Sequence, residues 1–204
     1  MRRQRASRDR ETTTRLAQEA ARLIHEEGMT DHGAARRKAA RRLQVRDDAL
    51  LPEFHEIERA LREHIALFGG DSQPGRLRAL RNAAVEAMQF FEAFQPRLVG
   101  PVLDGTADAH TPVSLHLFAD DVDRIGHALD ELGARFDRRD RRLRFDARRE
   151  VIAPVYLFIA GDVAMELIVL PEATLRQAPL DRDGLHPLSR ASLAQLRTLL
   201  IAEA

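Results

Sequence analysis

The sequence predicts an α+β fold: a helical N-terminal region, then a mixed β-sheet flanked by helices. Three observations carry that expectation. Apolar residues recur every three to four positions as far as Phe94, the period of an amphipathic helix. From Arg97 onward, short apolar runs alternate with glycine and proline turn signals, the pattern of strands. Between the two lies "GGDSQPG" at 69–75, the clearest break in the chain. The break separates a helical region at 12–69 from an α+β domain at 76–204.

The elements follow in order. Residues 1–11, "MRRQRASRDRE", read as a disordered basic tail. Thr12, Thr13 and Thr14 offer N-caps for a helix to Glu27, with Leu16, Ala20, Leu23 and Ile24 on one face. Gly28 stops it. A second, very basic helix spans 34–43. Pro52 suits the first position of a third helix, along which Ile57, Leu61, Ile65 and Phe68 recur at helical spacing. A fourth helix at 75–94 has Leu77, Leu80, Ala84, Met88 and Phe91 as its stripe, and Pro96 ends it. Strands are expected at 97–103 and 112–119, then a helix at 121–132. Three more strands are expected at 141–145, 151–159 and 163–170, the last two joined by the tight turn "AGDV". The tail is a loop and a final helix capped by Ser189, with Leu193, Leu196, Leu199 and Leu200 inward.

Composition narrows the function. Basic and acidic residues balance at 32 each, so no global field draws the chain to nucleic acid or membrane. There is no cysteine, which excludes disulfides and thiolate metal sites. Tryptophan is absent and aromatics are scarce, against a platform for stacking many bases. No apolar run approaches the ~20 residues that cross a bilayer. The basic start lacks the apolar core of a secretory signal, so a cytoplasmic protein is expected, with no membrane partner.

The most informative stretch is "RLVGPVLDGTADAHTPVSLHLFADD" at 97–121. A run that ends in "LVGP" puts Gly100 and Pro101 at a turn, and "LDGTAD" continues it with Gly105 and Thr106. Ten residues on comes "TPVSLHLF", and later "VAMELIVLP" carries Glu166. This order and spacing resembles a minimal nucleotidyltransferase domain over roughly residues 76–171. The resemblance implies a turn whose backbone N–H groups hold a triphosphate, and three carboxylates that hold divalent metal for phosphoryl transfer. By it, Pro112 and Ser114 stand where two aspartates would be, and Glu166 where the third would be. Proline ligates no metal and serine is a weak neutral ligand, so no metal site is expected and the domain resembles a pseudoenzyme. Magnesium would be a cofactor only if the site were active. Glu166, Ser114 and His116 are the candidate catalytic positions; Arg97, Gly100, Gly105, Thr106 and His110 are the candidate ligand contacts. Ser114 and His116 share one strand face because side chains repeat every two residues. They fit equally the polar face of a half-buried strand.

The helix "ARRKAARRL" is the second feature. Arg36, Arg37, Lys38, Arg41 and Arg42 could contact phosphates of RNA or DNA. They could also line a solvated face, paired with Glu26, Glu27, Asp47 or Asp48. No phosphate-binding glycine loop or catalytic serine motif is present. That absence also excludes a muramate–alanine ligase, an activity credited to some similar small bacterial proteins. Three functions stay open. One is a degenerate nucleotidyltransferase-like protein that binds a nucleotide or nucleic acid through a cleft at the 100–111 loop and the basic helix. Another is an active nucleotidyltransferase or metal-dependent enzyme using His110, His116 and Glu166. The last is an interaction subunit with a protein partner or a second copy of itself.

Overall fold

A helix occupies the tail that composition marks as disordered. The computed structural model describes residues 2–29, 31–68, 72–108, 111–181 and 184–203, and the chain divides into two units, Met1–Asp71 and Ser72–Ala204. In the first, α1 spans Arg2–Glu27. The three threonines do not cap it. Their hydroxyls donate back to the carbonyls of Arg8, Asp9 and Arg10, one turn earlier. That back-bonding is available only to residues already inside a helix, so the helix begins well before them. Helix α2 (His32–Arg42) is capped by the Asp31 carboxylate, which accepts from the Ala34 N–H at 3.1 Å. Helix α3 (Phe54–Phe68) starts two residues after Pro52, and the Glu56 carboxylate accepts from the Glu53 N–H. Leu16, Ala20 and Leu23 of α1 pack with Ala35, Ala39 and Ile57, and Ala17 and Ala21 pack with Ala60, Leu61 and Ile65. Alanines on three helices allow the close approach that this small core needs.

The second unit is a mixed six-stranded sheet with helices. Its elements are α4 (Ser72–Phe90), β1 (Arg97–Val99), α5 (Pro101–Asp104), β2 (Val113–Phe118), α6 (Asp123–Glu131), β3 (Phe136–Arg144), β4 (Glu150–Ala160), β5 (Val163–Leu170), β6 (Arg190–Ala191) and α7 (Leu193–Ala202). The strand order is β3-β4-β5-β2-β1-β6. Only β2 and β5 run parallel; the other neighbours are antiparallel. One face packs Leu115, Leu117, Leu167 and Val169 against Met88, Phe91, Leu129 and Leu196 from the helices. The other face carries Phe118, Val155, Ile168 and Leu170. Phe145, and Leu175 and Leu188 from the strap that follows β5, pack on it. All six residues of β2 are therefore buried.

Three boundaries depart from expectation, each for a local reason. Strand β1 stops at Val99, not 103, because Gly100 turns the chain at φ +74° and Pro101 opens a single helical turn. Strand β3 begins at Phe136, five residues early. Its charged sequence, "FDRRDRRLR", lacks the apolar alternation of a strand, and register with β4 from Phe136↔Phe158 to Arg144↔Glu150 supplies the order. The last helix is capped by Ser192, not Ser189. Arg190 and Ala191 are taken by pairing with β1, and Ser192 and Gln195 then close a reciprocal capping box. Strand β3 is an outer strand, with arginines at 138, 139, 141, 142 and 144.

Candidate functional site

The parallel β2–β5 pair sets Ser114 directly opposite Glu166. The Ser114 hydroxyl donates to Glu166 Oε2 at 3.0 Å. Arg141, from β3, then closes a fork on the same carboxylate. Its Nη1 donates to Oε2 at 3.0 Å and its Nη2 to Oε1 at 2.5 Å. Ser114 and Glu166 are both buried. A bidentate guanidinium is the strongest pairing a carboxylate finds among side chains, and a buried carboxylate needs such a partner. Arg141 thus puts a fixed positive charge on the one acid of the site. The donor set is a poor match for a divalent cation: one carboxylate, already held on both oxygens, beside a neutral hydroxyl.

His116 is the next residue on the same face, opposite Arg97 on β1 and Ile168 on β5. It is 1% exposed, and its Nδ1 has no hydrogen-bond partner among the described residues. Burial pushes its pKa down to about 3, and the nearby charges of Arg190 and Arg141 push the same way. It is a neutral imidazole at neutral pH. It is not paired with Ser114, whose hydroxyl is committed to Glu166. Arg97 donates to the carbonyls of Gln95 and Pro96.

Arg190 completes this face from β6, opposite Val99. Its Nη2 donates to the Leu175 carbonyl at 3.1 Å, and its guanidinium lies 5.8 Å from the Phe118 ring centroid. Its Nη1 is buried without a hydrogen-bond partner among the described residues. Burial lowers its pKa, and the like charge of Arg97 lowers it further. Neither Arg141 nor Arg190 stands out in the sequence. Arg141 is one of five arginines on β3, and Arg190 falls where the sequence reads as the first turn of the last helix. Strand register is what gives them a role.

The glycine turn is tied to the helices above it. Gly105 (φ +81°) faces Arg81 and Leu77 of α4. The Thr106 N–H is spent on the Pro101 carbonyl at 2.9 Å. Val102 and Ala107 belong to the core beneath the helices. Arg81, itself buried, donates to the carbonyls of Val102 and Leu103 and pairs with Glu203, just past the end of α7. Apolar anchors and one buried arginine therefore bind this loop to the helical layer. Gly100 remains at the end of β1 with a left-handed φ. His110 lies outside the described residues.

In the first unit the basic helix is partly consumed. Lys38 pairs with Glu27 at 2.5 Å, and Arg42 with Glu19 at 3.1 Å and Glu27 at 2.8 Å. Arg36 donates to the Pro52 carbonyl. Arg37 and Arg41 are exposed and make no ion pair among the described residues. No described helix is long and apolar enough to cross a membrane. No protein-family model, curated protein or solved structure matches the chain.

Proposed function

We propose that the second unit is a catalytically degenerate nucleotidyltransferase-like domain that binds a nucleotide or nucleic acid without transferring it. The observation that carries the reading is the register of Ser114 against Glu166, with the Arg141 fork closed on the surviving acid. The positions that resemble a metal-binding set adjoin one another on one sheet face. There the charge of an arginine takes the place of a cation. Phosphoryl transfer needs metal to neutralise developing charge on the equatorial oxygens. A single arginine-bound carboxylate offers no such service, and His116, sealed from solvent and with its basicity lowered by burial, is a poor general base. Binding survives such a loss because arginines recognise phosphate without metal. Arg37 and Arg41 of α2 add a second surface for a nucleic-acid backbone.

The test is a thermal-shift panel of nucleoside triphosphates, with and without magnesium or manganese, on the native chain and on Glu166→Ala. A ligand that binds only the folded state raises the melting temperature by mass action. The expected result is a shift that does not depend on metal. A metal-dependent shift that vanishes in Glu166→Ala, accompanied by turnover, would replace this reading with an active enzyme. No shift with any triphosphate or oligonucleotide would remove the nucleotide reading altogether.

A further inference from the structure

The strap after β5 and the sheet face beneath it line an open cavity of about 440 Å³, which the degenerate site does not use. Its walls are of two kinds. Phe145, Leu180 and Leu188 make an apolar side; Arg176, Arg190 and Gln177 make a polar one. We infer that this cavity is a binding site for a small organic phosphate, a phosphomonoester carried on an apolar or aromatic body. The inference does not need the nucleotidyltransferase reading; it stands on the cavity and its charges.

Three observations converge on an anion. Neither Arg176 nor Arg190 makes an ion pair among the described residues, and both line this one cavity. Arg190 has a buried Nη1 without an acceptor among the described residues, and a buried guanidinium N–H is costly to leave unpaired. The groups around it add no counter-charge: Arg97 is a like charge and His116 is neutral. A phosphate oxygen would supply the missing acceptor, and a second arginine would complete recognition of a dianion. The apolar wall argues for a body attached to that phosphate. Inorganic phosphate would leave the half-buried Leu180 and Leu188 facing water. The volume falls within the usual range for small-molecule sites, about 300–1,000 Å³.

The experiment uses the full chain with phenyl phosphate, inorganic phosphate and phenol, read by calorimetry at constant ionic strength. Phenyl phosphate should bind saturably and more tightly than inorganic phosphate, and phenol should fail. Arg176→Gln changes an exposed residue and removes one charge. Arg190→Gln keeps a donor for the Leu175 carbonyl and removes the other. Each should weaken phenyl phosphate by about tenfold or more, with the circular dichroism of the native fold retained. Affinity that is unchanged in both folded variants would overturn the inference, as would no saturable binding by either phosphate. Triphosphate binding that survives both substitutions, with phenyl phosphate affinity unchanged as well, would leave the nucleotidyltransferase-like reading standing while this cavity fails. Inorganic phosphate and phenyl phosphate binding equally would refute the apolar-body part of the assignment.

Discussion

Acidification should destabilise this protein through one residue, His116. Its imidazole is 1% exposed, with a pKa of about 3 in the folded chain against 6.5 for an ordinary histidine. Below the ordinary value the unfolded chain takes up a proton that the folded chain refuses. The His116 contribution is therefore constant above about pH 6.5, and stability is lost as pH falls from there toward 3. Each pH unit in that window costs ~1.4 kcal/mol, so at pH 5 the loss is about 2 kcal/mol. For a unit of this size that is roughly 6 °C of melting temperature. Other groups titrate in the same range, so the comparison is with His116→Leu, which cannot take up the proton. Thermal unfolding of both chains between about pH 8 and pH 5 should show the wild type losing about 2 kcal/mol more than the variant. Parallel curves would mean that His116 protonates normally in the fold. The face beneath the strap would then be open to water, and the sealed geometry argued for it would be wrong.

Other substitutions probe separate parts of the structure. Glu166→Gln keeps an acceptor for Ser114 but removes the charge facing Arg141. It should cost about 1–2 kcal/mol in a urea titration, since one partner is buried and the other half-exposed; an unchanged midpoint would show the fork to be inert. Arg81→Leu strands the carbonyls of Val102 and Leu103 and should cost about 3 kcal/mol. Hydrogen exchange should then quicken at the Thr106 amide, and unaltered protection there would refute the anchoring role. Leu23→Ala opens a cavity among three helices and should cost about 3 kcal/mol by thermal unfolding. A loss below about 1 kcal/mol would mean that this small core collapses around the gap.

Much of the fold is legible because its strongest signals are local. Strand β5 occupies 163–170 as expected, bounded by the "AGDV" turn and Pro171, and α6 follows its apolar spacing between Asp123 and Glu131. The first half of strand β3 is illegible for a physical reason: an outer strand need bury almost nothing, so its residues carry no alternation. The N-terminal helix is misread because arginine-rich composition is compatible with either a solvated helix or a coil. The decisive hydrogen bonds come from threonine hydroxyls that caps would have used differently. At the site, the spacing of Ser114 and Glu166 brings them together, since parallel pairing fixes register over the whole strand. What no spacing rule supplies is Arg141, or Arg190 beneath the strap. Both arrive through strands whose partners are known only once the sheet is assembled.

The charged outer strand has a consequence for how this protein meets copies of itself. A sheet edge is a row of unpaired backbone donors and acceptors, open to any strand that can lie alongside. On β3 that approach is guarded by arginines at 138, 139, 141, 142 and 144. A second copy docking edge to edge would bring two such rows together and strip water from both. At the opposite border β6 is only two residues long, too short a template for another chain. The sheet therefore stays finite, and crowding in the cell should not turn its borders into seeds for aggregation.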